Sequence, residues 1–457
     1  MPVSWAEMLV LLLSTYELGR QPVHMASPAA ALRRAGHEVH MIDLTVDELS
    51  DHELAWADRI AISVPMHTAT RLADEVVSMI RRDHPDTPVA LYGLYAGVGS
   101  APVDVRLDGE YEPGLLDWAN GAQVQATRHL GRSAFQVPDR AGLPGLDRYA
   151  RRETGGTTVL AGAVEASHGC RHRCRHCPIP AVYDGRIRVV PKEHVLADID
   201  SLVAAGARHV TFGDADFLNA PAHSLDILEQ AHHAHPEVTF DATIKVEHIV
   251  GHPDLWPRLA DLNLLFVVSA FESVDQTTLD ILDKGHTVTD MVEAVELTRG
   301  SGIYIRPTWL PFLPWTNVDD VAGIFEFIDT HDLIGATDPV QMAIKLLVPR
   351  GSLLETHPAV TPHLDHYDTE ALTWRWRFAH PEADMLQKEL ETIAANASDC
   401  DQETAATMGE MRATVVGLLG EPLPVSHGPI EMAPRLTESW FCCAEPTNNQ
   451  LISIRRS

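Results

Sequence analysis

The densest chemistry in the chain lies in ten residues, Gly169-Cys170-Arg171-His172-Arg173-Cys174-Arg175-His176-Cys177-Pro178. Three thiolates on one short loop can hold three irons of a four-iron cluster and leave the fourth iron without a protein ligand. An open iron is a place for a small chelating molecule, such as an amino acid's amine and carboxylate. The competing reading is a structural zinc site with His172 or His176 as fourth ligand, although zinc prefers a closed tetrahedron built from paired CxxC units. The interleaved arginines suit the charge of a thiolate cluster better than they suit a polyanion.

A second thiol pair stands near the end, in Glu438-Ser439-Trp440-Phe441-Cys442-Cys443-Ala444-Glu445-Pro446. Two adjacent thiolates trap a soft, thiophilic centre such as trivalent arsenic. The alternatives are a buried pair of small apolar side chains or a strained vicinal disulfide. Trp440 and Phe441 would shield the pair under any of these readings. Cys400 stands alone, either a third soft ligand or a core residue at a helix end.

The elements that must position these groups are strands and helices in alternation. Leu9 to Ser14, Val39 to Leu44, Ile60 to Val64 and Val89 to Tyr92 are short apolar strands, with helical material between them. Pro28 opens one such helix, and Leu72, Val76, Met79 and Ile80 mark another. This pattern means a parallel sheet covered on both faces, with ligands expected beyond the strand carboxyl ends. Those ends carry Ser14-Thr15-Tyr16, Pro65-Met66-His67-Thr68 and Gly93-Leu94-Tyr95-Ala96.

After a Gly-, Pro- and Arg-rich linker, strands recur at Val159–Val164, His209–Phe212, Val238–Ile244, Leu264–Ala270, Gly302–Leu310 and Gln341–Val348. Pro191 opens a helix that Gly206 ends. Six strand–helix units point to a closed or partial parallel barrel, with the three cysteines just past its first strand. Leu386, Leu390 and Ile393, then Met408, Met411 and Val415, form two helical stripes of a smaller module. The fold class is therefore α/β: an N-terminal Rossmann-like sheet (1–130), a linker (131–158), a partial (β/α)6 barrel (159–355), a helical C-terminal module (356–435) and a cysteine-bearing tail (436–457).

Composition narrows the function further. The 457 residues are 45% hydrophobic and 22% charged, the mix of a globular protein with large cores. A formal charge of −29 argues against a nucleic-acid partner. No apolar run is long enough to span a membrane, and Met8 to Leu13 follows Glu7 rather than a basic segment, so it reads as a strand and not a signal peptide. Six cysteines are too few for a disulfide scaffold, which points to metal-binding or reactive thiols in a reducing cytoplasm.

Cys170-x-x-x-Cys174-x-x-Cys177 after the first barrel strand resembles the motif of radical S-adenosylmethionine (radical SAM) enzymes. The resemblance implies a [4Fe-4S] cluster whose open iron chelates the amino and carboxylate groups of S-adenosylmethionine. One electron, from a donor such as flavodoxin or ferredoxin, then breaks a carbon–sulfur bond. His176 replaces the usual aromatic residue. Phe212-Gly213-Asp214-Ala215-Asp216 resembles the glycine-rich stretch whose acid meets the methionine amine, so Gly213, Asp214 and Asp216 are implied cofactor contacts. Phe271-Glu272-Ser273 resembles the segment that touches ribose hydroxyls, and Leu282-Asp283-Lys284-Gly285-His286-Thr287 the turn after it. Lys245 and Arg306 are further candidate cofactor contacts, with solvated strand-end roles as their alternative.

Ala26-Ser27-Pro28, Leu32 to Val39 and Asp104 to Glu112 resemble the cobalamin-binding domain attached to many radical SAM proteins. The Asp-x-His-x-x-Gly cobalt-ligand motif is absent, so the domain either binds cobalamin or survives as a scaffold or lid. The tail resembles that of a radical SAM group ending in Cys-Cys-Ala-Glu-Pro, in which selenocysteine can replace the second cysteine. The chain is also similar to the radical SAM enzyme of arsinothricin biosynthesis, which moves a 3-amino-3-carboxypropyl group from S-adenosylmethionine to trivalent arsenic. These resemblances imply a transferase whose small-molecule substrate, such as arsenite, is held by catalytic Cys442 and Cys443. A cobalamin-dependent methyltransferase and a non-catalytic metalloid- or redox-binding protein are the alternatives.

Overall fold

The computed structural model describes residues 7–124, 127–131, 134–400, 402–423 and 430–438. Cys442, Cys443 and the rest of the expected tail beyond Glu438 lie outside the described residues. Six strands, β1 (Leu9–Ser14), β2 (Glu38–Asp43), β3 (Arg59–Ser63), β4 (Val89–Tyr92), β5 (Val105–Gly109) and β6 (Arg128–His129), form a parallel sheet in the order β2-β1-β3-β4-β5-β6. Alternation along β1 explains its central place. Leu11 and Leu13 pack with Ile60 and Ile62 on one face, while Val10 and Leu12 meet Met25 and Leu32 on the other.

The helix expected to open at Pro28 begins instead at Val23, so Pro28 sits inside it. A proline there frees the carbonyl four residues earlier. That carbonyl, of His24, accepts from the Tyr92 hydroxyl at 2.9 Å, which is how the helix tolerates the ring.

Strand order reverses between β1 and β3, the switch point where such sheets bind ligands. Here the chain covers that crevice with itself. Tyr16, Met66, His67, Thr68, Tyr95 and Ala96 are all buried. The His67 ring meets the Ala371 carbonyl at 2.9 Å, and the Tyr16 hydroxyl donates to Glu438 at 2.9 Å.

The second sheet contains β7 (Arg151–Thr154) and β8 (Thr157–Val164), followed after the short pair β9 (Ser167–Gly169) and β10 (Ile187–Val189) by β11 (His209–Phe212), β12 (Thr239–Thr243), β13 (Leu264–Glu272) and β14 (Tyr304–Trp309). Strands β8, β11, β12, β13 and β14 are parallel neighbours and make a curled half-barrel. The sixth strand expected at Gln341–Val348 is reduced to a 3-10 turn, Pro339–Ala343, and one isolated bridge between Phe312 and Lys345. The end of the expected linker is also ordered otherwise: β7 forms an antiparallel hairpin with β8.

The C-terminal module holds the two expected helices, Pro381–Asp399 and Thr404–Leu419. Leu386, Leu390, Met411 and Val415 have no exposed surface, and all four join the barrel core. It also contains a hairpin that periodicity did not reveal, β15 (Leu364–Asp368) with β16 (Thr373–Trp376). Cys400 caps the first helix and is exposed, so it is not a core residue. No helix among the described residues is long and apolar enough to cross a membrane.

A strap closes the open side of the half-barrel. Tyr304 on β14 donates to Glu431, the Ala433 N–H donates to Gly335 at 3.0 Å, and β17 (Arg435–Leu436) pairs with β7. Glu438 then ends this run against Gly19 and Tyr16 of the N-terminal domain. A Cβ at Gly335 would fall on the Glu431 carbonyl. Gly335→Ala should therefore cost about 1–3 kcal/mol as overpacking and free the strap. Limited proteolysis should release the C-terminal peptide several times faster than from the parent chain, and an unchanged cleavage rate would refute the strap's anchoring role.

Candidate iron–sulfur and cofactor site

Cys170, Cys174 and Cys177 follow β8, at the carboxyl end of the half-barrel. Cys170 and Cys174 are buried and Cys177 is partly so. The loop enters through Gly169 at φ +77°, where a Cβ would strike the Arg186 carbonyl and the Tyr183 ring. The Asn219 side-chain oxygen accepts from the Arg171 N–H at 3.1 Å and lies 3.8 Å from the Cys170 sulfur. Arg175 ties the loop's far side to the 280–284 turn, its N–H reaching the Leu282 carbonyl at 2.8 Å and its guanidinium the Ile281 carbonyl at 2.7 Å.

The donor set suits a cluster better than a single zinc. A tetrahedral zinc with bonds of about 2.3 Å draws its thiolates to within about 4 Å of one another. Among the described residues, only His172, Asp216 and His248 bring three metal-ligand atoms within 4.8 Å of one another, and the three cysteine sulfurs do not. Both histidines considered as a fourth ligand face carboxylates instead. His176 meets Glu272 at 3.0 Å, while His172 lies 3.4 Å from Glu247 and 3.6 Å from Asp216. The residues therefore fit a cluster held at three irons. They leave room for an external chelating ligand on the fourth.

Charge balance at the loop comes from Lys284, which is almost fully buried. Burial alone would lower its pKa, but Glu272 and the thiols of Cys174 and Cys177 raise it. Glu272 accepts from Lys284 at 3.1 Å, and it too is buried. Burial works against its charge, yet Lys284 and His176 hold the carboxyl well below the usual range. The backbone bends to make this contact: a bulge in β13 puts Glu272 at φ +66°.

The other expected contacts divide by what already satisfies them. Both oxygens of Asp214 accept bonds, from the Ala166 N–H at 2.9 Å and the Ser167 hydroxyl at 2.5 Å, and burial pushes its pKa up to about 7. Asp216 spends one oxygen on the Leu218 N–H at 3.2 Å and turns the other to His172 and His248. The Gly213 backbone lies against Val164 and the side chains of Glu165 and Arg20. Lys245 pairs with Glu247 at 3.2 Å. Ser273 accepts from the Asp275 N–H, a local turn bond. Arg306 is committed to Asp338 at 2.9 Å and to the Pro434 carbonyl, so it holds the strap.

Sequence reasoning missed a partly buried network joining the two sheets. His24 bridges Glu17 at 3.0 Å and Glu165 at 3.5 Å, and His168 bridges Glu110 at 3.2 Å and Glu165 at 3.3 Å. Burial opposes charge on His24, but Glu17 and Glu165 raise its pKa to about 9. Burial likewise opposes charge on Glu165, but His24 and His168 bring it down to about 2. An ionisable residue just past each of several parallel strands was the available signal: Glu17, Glu110, Glu165 and Lys245 follow β1, β5, β8 and β12.

Two outcomes follow. The His24 contribution is complete below about pH 6.5 and is lost as pH rises through about 9, because its folded pKa lies above the unfolded one. It is on the order of 3 kcal/mol, so denaturant titrations should show stability falling across that window, and His24→Gln should flatten the fall. Lys284→Met strips Glu272 of its buried partner, a loss of about 3–5 kcal/mol. Iron analysis after anaerobic reconstitution should then fall below four per chain, whereas full iron loading at parental stability would contradict the charge-balancing role.

A family model described as the radical SAM superfamily matches residues 164–328. The hopanoid C-2 methylase of Rhodopseudomonas palustris (strain TIE-1) is 24% identical over 279 residues, covering 58% of this chain and 52% of the methylase. The chain thus spans about half the length of that curated relative. Among solved structures, the cobalamin-dependent S-adenosylmethionine radical enzyme OxsB, with aqua-cobalamin and S-adenosylmethionine bound, superposes with a TM-score of 0.65 at 14% identity. That match covers 86% of this chain and 67% of OxsB. The radical S-adenosylmethionine methyltransferase TsrM from Kitasatospora setae, with cobalamin and a [4Fe-4S] cluster bound, gives 0.55 at 20% identity, over 72% of this chain and 74% of TsrM. At these identities the two structures speak for the fold, an N-terminal parallel sheet beside a half-barrel. Together with the three-cysteine loop at the end of β8, the match over residues 164–328 marks that segment as a radical SAM domain.

Proposed function

We propose that this chain is a radical SAM transferase that cleaves S-adenosylmethionine at its cluster and passes a carbon group to an acceptor presented by the C-terminal tail. The observation that carries the reading is the trio of loop cysteines, two of them buried, with no fourth protein ligand turned toward them among the described residues. A cluster bound there supplies the electron and the open iron. The protein's own residues hold the thiolates in low dielectric, balance them with Lys284, and keep water from the strand ends by docking the N-terminal domain over them.

The group we assign is 3-amino-3-carboxypropyl, and the acceptor a thiophilic centre such as trivalent arsenic held by Cys442 and Cys443. Support comes from where the described chain stops. Glu438 lies against Tyr16 and Gly19, beside the half-buried Arg20 that faces Gly213 in the half-barrel. Cys442 stands four residues further along, a span of at most about 14 Å. A cavity of about 1610 Å³ has Tyr16, Arg435 and Glu438 on its wall, together with residues of the C-terminal module.

Cobalamin-dependent methylation is the second reading, favoured by the fold shared with OxsB and TsrM. At the switch-point crevice His67 and Tyr16 are engaged by Ala371 and Glu438. The N-terminal domain acts in our reading as a lid.

Dithionite-reduced, reconstituted protein incubated anaerobically with S-adenosylmethionine and arsenite should release methylthioadenosine and an aminocarboxypropyl arsenical, detected by mass spectrometry. Cys442→Ser/Cys443→Ser should lose the arsenical yet still cleave S-adenosylmethionine. Stoichiometric cobalamin with 5′-deoxyadenosine as product would replace this reading with the methyltransferase, and no cleavage product of either kind would favour a binding protein.

A further inference from the structure

Next to the cysteine loop, three side chains from separate elements converge on one point. His172 lies between the first two cysteines, Asp216 follows β11, and His248 stands on the helix Val246–Gly251 that follows β12. The free oxygen of Asp216 is 2.7 Å from His248 Nδ1 and 3.6 Å from His172 Nε2. Asp216 has no exposed surface, and that oxygen and both ring nitrogens lack a partner in hydrogen-bonding geometry. Three buried lone-pair atoms so close, none satisfied by the others, describe a place for a cation.

We infer that His172, Asp216 and His248 bind a mononuclear divalent ion of the zinc or iron(II) class, separate from the cluster. Donors in a tetrahedral zinc site with bonds of about 2.0–2.1 Å lie about 3.3 Å apart, and the observed separations bracket that value. The ligand chemistry fits as well: two imidazoles and one carboxylate suit zinc and iron(II), and three protein ligands leave a position open. The supporting contacts are in place. The other nitrogen of His172 faces Glu247 at 3.4 Å, the carboxylate–imidazole–metal arrangement that fixes a ligand's tautomer, and Lys245 holds Glu247 at 3.2 Å. The remaining oxygen of Asp216 is anchored by the Leu218 N–H.

The open position would take water or an anionic group of the acceptor within reach of the cluster loop. This gives Asp216 a duty other than the methionine-amine contact implied by family resemblance. The site does not depend on the identity of the transferred group.

The test uses the full-length reconstituted enzyme, stripped of loose metal by a chelator and titrated with zinc chloride, with elemental analysis of desalted protein. One divalent ion beyond the four cluster irons, zinc or a fifth iron, is expected. It should fall at least tenfold in occupancy in His248→Gln and in Asp216→Asn, with four irons kept, and persist in Cys442→Ser/Cys443→Ser. Cobalt(II) in place of zinc should show d–d absorption of an N/O site without thiolate charge-transfer bands. The inference is overturned if no extra ion binds, if its occupancy is unchanged in His248→Gln and Asp216→Asn, if it tracks the tail cysteines, or if S-adenosylmethionine displaces it. Displacement would mean that these atoms are the sulfonium's own subsite. Cleavage of S-adenosylmethionine by the parent protein, measured in parallel, reports on the transferase reading independently.

Discussion

Removing thiolates from water is unfavourable unless nearby charge replaces the lost hydration, and that requirement organises the centre of this protein. Two of the loop's three arginines are spent elsewhere: Arg173 pairs with Asp184, and Arg175 is held by carbonyls of the 280–284 turn. The compensating cation is Lys284, brought from a turn more than a hundred residues away. Lys284 is in turn held by Glu272, whose strained backbone delivers its carboxylate to both Lys284 and His176. Strain at Glu272 and burial of Lys284 are thus parts of one arrangement, because neither charge is stable in that environment alone.

The same logic operates between the sheets. Glu17 and Glu110 end strands of the N-terminal sheet, and Glu165 ends the first parallel strand of the half-barrel. His24 and His168 stitch these carboxylates together in a partly buried layer. Opposite charges sharing one low-dielectric interface make the docking specific, since a shifted register would leave carboxylates unpaired. The strap 430–438 adds a covalent boundary by joining both edges of the half-barrel and ending on Tyr16.

A shared fold supplies a crevice at the β1/β3 switch point, but what fills the crevice is set by local side chains. Here an imidazole, a phenol and a distant carbonyl meet where another chain of this fold could receive a large cofactor. The C-terminal hairpin β15–β16 brings Ala371 to that place.

By itself the sequence determined much of the local structure. Runs such as Leu9 to Ser14 and His209 to Phe212 are strands because uninterrupted apolar residues suit a sheet buried on both faces. Leu386, Leu390 and Ile393 form a helix because their spacing makes one stripe. The three-cysteine loop was legible for a similar reason, its ligands being close in the chain. Only the tertiary structure decided the rest. Whether Gln341–Val348 pairs as a strand depends on the strap and helices occupying that edge, and Pro28 stays inside a helix only because Tyr92 takes the carbonyl it frees. Lys284 beside Cys174, Asp216 between two histidines, and Glu165 beside His24 are contacts across roughly 30 to 140 residues. No periodicity encodes such pairs, because burial and charge select them only once the strands have set their ends side by side.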